Sequence, residues 1–158
     1  MSRSVADIRI VPARAAHVRT IARRMRNADR DEVWAASRML PAQALIYSLR
    51  KSTYAWTAIV NGRPEVMFGV GDINVLAGVG APWLLGTVAV EKHFRAFLRR
   101  SVDFRDQLSA QYPVLRNFVD DRNKASIRWL RWLGFRLSDP VDHNGYRFRL
   151  FELRASDV

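Results

Sequence analysis

Asn123-Lys124-Ala125-Ser126-Ile127-Arg128-Trp129-Leu130-Arg131-Trp132-Leu133-Gly134-Phe135 reads as an amphipathic helix running into a strand. Ile127, Leu130 and Leu133 recur at the spacing of a core-facing stripe, while Lys124, Arg128 and Arg131 form a basic ridge on the other side. Gly134 stands just past the last turn, where a left-handed residue closes a helix. At the other end, Asp120 or Asp121 is placed to cap a helix over 122–133. Upstream lies strand-like 114–119, and downstream lie 135–137 and 146–153, joined through a turn at His143-Asn144-Gly145.

Working outward, residues 93–112 predict a long helix with Phe94, Phe97, Phe104 and Leu108 close to one side, stopped by Pro113. Before it, Trp83 to Val90 reads as a buried strand, preceded by a glycine-rich loop containing Gly71, Gly78, Gly80 and Pro82. Tyr54–Val60 and 65–70 flank Asn61-Gly62, a strong short signal for a hairpin. Nearer the N-terminus, 7–11 predicts a first strand ending at Pro12. Val18, Ile21, Ala22 and Met25 predict a first helix, with Arg19, Arg23 and Arg26 sharing another face. Residues 29–37 and 42–49 are further helical pieces, the second with Pro41 at its first turn. The order β-α-α-α-β-β-β-α-β-α-β, with no repeat or linker, predicts one α/β domain over 1–158 with a mixed sheet.

With 158 residues, 49% of them hydrophobic and 26% charged, the chain has an ordinary globular composition that needs no staple to hold a core. It contains no cysteine, which excludes thiol nucleophiles, disulfide frameworks and cysteine zinc sites. His17, His93 and His143 lack metal-ligand spacing. The net charge is +11, and all the basic residues but Lys51, Lys92 and Lys124 are arginine. That excess suits a polyanion, though GC-rich coding produces the same bias. The first seven residues lack the apolar stretch of a secretory signal, and glycines, Pro82, Asp72 and Asn74 interrupt the apolar run 66–90 too often for a membrane helix. Of five tryptophans, Trp129 and Trp132 lie three apart on one helix, so one of them is expected at the surface.

The element order, with Asn123, Ser126, Gly134 and Phe135 in register, resembles the GNAT acetyltransferases, whose closing helix reads Asn-x-x-Ala-x-x-x-Tyr-x-x-x-Gly-Phe. Within that superfamily, Phe104-Arg105-Asp106-Gln107-Leu108, Asn117-Phe118-Val119, Asn144-Gly145 and Gly80-Ala81-Pro82-Trp83-Leu84-Leu85-Gly86-Thr87 are similar to small GNAT-related proteins of short-tailed bacteriophages, described as internal virion or assembly proteins. The resemblance implies a single GNAT-like domain with a mixed, mostly antiparallel sheet. It also implies acetyl-CoA or CoA as the ligand, with no metal. Leu85, Thr87, Val88 and Val90 would line the pantetheine arm, Arg95, Arg99 and Arg100 would meet the phosphates, and Asn117, Asn123 and Ser126 would stand near the arm. Glu91 and Glu32 are the candidate bases.

The family's phosphate motif, Arg/Gln-x-x-Gly-x-Gly/Ala, aligns Arg95 with its first position but puts Leu98 and Arg100 where glycines let the backbone approach the anion. The tyrosine that donates a proton to the departing thiolate is replaced by Leu130. Trp129 next to it points about 100° away around the helix, leaving Tyr112 and Tyr146 as the tyrosines that could approach through space. Three functions follow as expectations. The first is a virion-associated or assembly protein with a degenerate acetyl-CoA site, partnered by other phage virion proteins and located in the virion or the host cytoplasm. The second is an active N-acetyltransferase with an arginine-rich phosphate site. The third is a protein that binds DNA non-specifically through its basic faces.

Overall fold

The computed structural model describes residues 5–158; Met1–Ser4, part of the stretch read for a secretory signal, lie outside them. One sheet organises these residues. Its strands are β1 (Ile8–Pro12), β2 (Tyr54–Val60), β3 (Arg63–Asn74), β4 (Val79–Gly86), β5 (Val114–Asp120), β6 (Arg136–Leu137), β7 (Val141–His143) and β8 (Tyr146–Arg154). They lie in the order β1-β2-β3-β4-β5-β8-β6, with β7 also on β8, and every pairing is antiparallel except β4 with β5. Helices α1 (Val18–Arg24), α2 (Asn27–Ser37) and α3 (Pro41–Lys51) precede β2. The short α4 (Ala89–Lys92) and long α5 (Phe94–Gln111) separate β4 from β5, and α6 (Lys124–Trp132) follows β5.

Strand alternation gives the sheet two apolar faces. Met67 and Leu85 pack with Val18, Ile21 and Ala22 of α1, with Met25 just past its end, and with Ala44 and Leu45 of α3. Val66 on the opposite face packs with Ile8, Ala58, Val60, Val90 and Phe97. A third cluster joins Leu108 and Tyr112 to Leu115, Val119, Ile127, Phe135, Phe151 and Leu153. The expected apolar stripe of α1 is thus in place. The β2–β3 hairpin turns at Asn61 and Gly62, both left-handed, as do Asn144 and Gly145 between β7 and β8.

Several expectations need correction. Gly71, Gly80 and Pro82 lie in strands rather than a loop, because β3 runs on to Asn74 and pairs back onto β4. Strand β4 stops at Gly86 instead of Val90, since Thr87 bonds back to Glu65 and the chain then coils into α4. Neither aspartate caps α6; Asn123 does, accepting from the Ser126 N–H at 3.3 Å. Strand β7 was not foreseen. Its three residues are all exposed, so no apolar alternation marked them. Of the side chains expected close to one side of α5, Phe97 and Leu108 are buried whereas Phe94 is 44% exposed.

Candidate functional site

Strands β4 and β5 pair only at Val79 with Val114 and at Gly80 with Leu115, and then diverge. Proline at position 82 offers no N–H to a neighbouring strand. Its carbonyl instead accepts the Asn117 side-chain amide at 3.0 Å, a bridge across the opening wedge. Beyond it a cavity of about 620 Å³ reaches from Met39, Tyr47 and Trp83 on the α2–α3 side to Phe97, Phe104 and Trp129 on the α5–α6 side. This volume is within the usual range for small-ligand sites.

The wide end of the wedge is filled by the chain's own polar groups. Thr87 N–H donates to Glu65 of β3, so in this antiparallel ladder the main-chain groups of Gly86 point the other way, toward β5. There the Gly86 carbonyl accepts from Arg26 N–H at 3.0 Å, and the Gly86 N–H donates to Asp29 Oδ2 at 2.9 Å. The Arg26 side chain, buried, donates to Asp29 Oδ1 at 2.9 Å and reaches Ser126 Oγ on α6 at 3.4 Å. It therefore joins the α1–α2 segment to a helix on the opposite face of the sheet. Burial pulls this guanidinium down, but the hydrogen bond and charge of Asp29, with Glu91 and Glu32 beyond, outweigh it and hold the group above its ordinary value. Arg26 thus leaves the solvent-facing ridge expected with Arg19 and Arg23, both of which are exposed.

Glu32 lines the cavity, and one of its carboxyl oxygens accepts the Asp120 N–H at 2.6 Å. Burial pushes this carboxyl up to about 8; the charges of Asp29 and Asp120 add to the shift, while the Asp120 N–H and Arg26 oppose it. Burial thus favours the neutral carboxyl well above the ordinary glutamate range. Glu91 is different: its side chain is 59% exposed, 3.8 Å from Arg26, and outside the cavity lining.

The residues expected along a pantetheine arm divide. Leu85, Asn117 and Ser126 line the cavity. Thr87 does not, because its hydroxyl donates to Glu65 and accepts the Ala89 N–H. Val90 is buried against Val66 and Phe97, whereas Val88 faces solvent. Asn123 is buried as the cap of α6, with no partner for its side-chain NH₂ among the described residues. Arg95 and Arg99 are exposed, and Arg100 donates to the Ile8 carbonyl at 3.0 Å.

Ahead of α5, where a diphosphate would need free main-chain donors, the N–H groups of Ala89 through His93 all have acceptors within residues 87–89. Those of Ala96 and Phe97 bond to the His93 carbonyl. Leu130, at the tyrosine position, lines the cavity and can donate no proton. Neither alternative tyrosine reaches it. Tyr112 donates to Asp72 at 2.7 Å, and Tyr146 is stacked between the guanidiniums of Arg38 and Arg122. Sequence reasoning missed Arg26 and Asp29 as site residues, because Arg26 reads as one more cation on a face of the first helix and Asp29 as the start of the next.

A family model described as "Bacteriophage T7, probable scaffold protein Gp13" matches residues 76–141. No curated protein sequence matches the chain. Among solved structures, a GCN5-related N-acetyltransferase from Brucella melitensis superposes with a TM-score of 0.68 at 14% identity, covering 95% of this chain and 76% of that one. The protein yncA from Salmonella typhimurium, solved with its cofactor acetyl-CoA, gives 0.66 at 15% identity and covers 94% of each chain. An acetyltransferase of the GNAT family from Streptococcus pneumoniae gives 0.63 at 13% identity, covering 94% of this chain and 99% of that one. Among the described residues no group of His, Asp and Glu is placed to hold a metal ion, and no helix is long and apolar enough to cross a membrane.

Proposed function

Starting from a chain that has the fold of the GNAT acetyltransferases, we propose that it serves as a scaffold or virion-associated component in bacteriophage assembly and that its acetyl-CoA cleft no longer works as one. The stretch 76–141, shared with the phage scaffold family, carries the first half of the reading. It includes β4, α5, β5 and α6, the framework of the wedge. The second half is carried by one observation: Arg26 and Asp29 hold both main-chain groups of Gly86 on the open edge of β4. The internally bonded amides of 89–93 add to it, since an anion bound there would have to displace existing hydrogen bonds. Other phage structural proteins are the partners this reading implies, with the assembling particle as its location.

Titration calorimetry with acetyl-CoA and with CoA tests the cleft. No heat of binding at millimolar ligand is expected. Micromolar binding weakened by Arg95→Ala would overturn the degenerate cleft. Mass spectrometry of procapsids and mature particles tests the role, and absence from both would overturn it.

A second reading is favoured by Glu32. A carboxyl held near 8 inside the cavity suits general acid–base chemistry, and exposed Arg95 and Arg99 supply cations where the glycines are missing. Turnover of acetyl-CoA with an amine panel, lost in Glu32→Gln, would select it.

A further inference from the structure

Five carboxylates are paired with arginines outside α5 and α6: Glu65 with Arg24, Asp29 with Arg26, Asp120 with Arg122, Asp121 with Arg149, Glu152 with Arg116; Asp121 also reaches Lys124 of α6, and α5 carries Asp103 and Asp106 in its later turns. The outer face of α5 and α6 is the counterpart of that distribution. The first two turns of α5, residues 94–101, contain Arg95, Arg99 and Arg100 and no acid; α6 contains Lys124, Arg128 and Arg131 and no acid. Arg95, Arg99, Arg128 and Arg131 are all exposed, and among the described residues none has an acidic partner within 4.0 Å.

The two helices lie side by side. Trp129 Nε1 donates to Ser101 Oγ at 3.0 Å, Arg105 donates to the Leu133 carbonyl at 2.9 Å, and the Phe94 ring meets Trp129 edge-on at 6.1 Å. These contacts hold the two basic sets on adjacent helices. They also leave rings at the surface among the cations: Phe94 is 44% exposed and Trp132 is 56% exposed. Arg95 and Arg99 stand four apart on one helix, a like-charge spacing that destabilises the free chain, and exposed rings forgo burial. A polyanion with flat, unstacked faces relieves both at once. Duplex DNA offers the phosphates but keeps its bases stacked, and an acidic polypeptide does not place a ring beside every charge.

We propose that the α5–α6 face, through Arg95, Arg99, Arg128 and Arg131 with Phe94 and Trp132, binds single-stranded nucleic acid without sequence preference. The cations neutralise phosphates and the two rings stack on bases, the combination used on non-specific single-strand surfaces. The inference stands apart from the assembly reading: it needs only this face.

Fluorescence anisotropy of a labelled mixed-sequence 20-mer tests it, as DNA, as RNA and as the DNA duplex. Binding at 50 mM salt is expected to weaken with a log–log slope of about −3 as four phosphates release their counterions. Arg95→Gln/Arg99→Gln and Arg128→Gln/Arg131→Gln should each weaken it about tenfold or more. Arg19→Gln/Arg23→Gln removes the same charge from exposed positions on α1, across the sheet, and should change it less than threefold. Trp132→Ala should cost the single strand about fivefold and the duplex far less. Equal loss in all three charge variants, tighter binding of the duplex, or displacement by polyglutamate at matched charge would each overturn the proposal, as would no binding at 50 mM salt.

Discussion

A carboxyl oxygen of Glu32 on α2 accepts the main-chain N–H of Asp120 at 2.6 Å, although 88 residues separate them in sequence. The bond ties the end of β5 to the helices that cover the opposite side of the wedge. It is also the point at which the fold becomes sensitive to pH.

In the folded chain the Glu32 carboxyl sits near 8, against an ordinary value of 4.5. Below about pH 4.5 both folded and unfolded forms carry the proton, and the group contributes no penalty. As pH rises toward 8 the unfolded chain alone releases it, so stability falls, by roughly 3–5 kcal/mol in all once both forms are ionised. Urea midpoints of the parent chain should therefore drop between pH 5 and 9. Glu32→Gln, which keeps an acceptor for Asp120 and cannot ionise, should lose most of that drop; parallel curves would refute the assignment.

The Arg26–Asp29 pair predicts a second result. Removing Asp29 leaves a buried guanidinium without its nearest counter-charge, with only exposed Glu91 at 3.8 Å, and the Gly86 N–H without an acceptor. Asp29→Ala should cost about 3–5 kcal/mol in equilibrium denaturation, and Arg26→Ala a similar amount. The double variant should cost clearly less than the sum, because both substitutions break one unit.

Gly69 tests the close approach of β2 to β3. A Cβ there would collide with the Tyr54 carbonyl oxygen and stand 3.0 Å from the Ala55 Cα, both main-chain atoms that cannot rotate away. Gly69→Ala should destabilise by about 2 kcal/mol or more. Gly62→Ala should cost only about 1 kcal/mol, since that turn has open space and only its positive φ of 82° resists a side chain. Thermal unfolding of the two variants separates collision from conformational strain.

Arg38 ends α2 in the left-handed region, at φ 54°, with its guanidinium 5.6 Å from the Trp34 ring and 5.1 Å from the Tyr146 ring. It also donates to the Asn144 carbonyl at 3.0 Å, fastening the β7–β8 turn to the helix. Arg38→Ala should lose about 1–2 kcal/mol. Arg38→Gly should lose less, because glycine relieves the backbone while giving up the same contacts. If alanine and glycine behave alike, strain at this position is not part of the balance.

Much of this architecture was legible locally. The stripes of α1 and α6, the Asn61-Gly62 and Asn144-Gly145 turns, and Pro41 opening α3 each rest on residues a few positions apart, and the structure has them all. The wrong boundaries came where distant partners decide. Gly71 and Gly80 read as loop because glycine favours turns, yet Gly80 lies in β4 with Tyr112 and Val70 packed where its side chain would be. The run from Thr87 to Val90 reads as strand by its β-branched residues, but Thr87 and Glu65 turn it into a helical corner.

The sequence by itself determined an α/β chain with a closing helix, an excess of arginine, no thiol chemistry, and Leu98 and Arg100 at positions where the family it resembles has glycines. These are matters of residue type and short spacing. Tertiary structure alone decided which charges are buried and what they face. Arg26, Asp29, Glu32, Asp120 and Ser126 come from three stretches of the chain, and only the parting of β4 from β5 brings them together. Burial and long-range pairing fix whether an arginine is a solvated cation or a brace across a cleft, and neither is encoded in the spacing of neighbours.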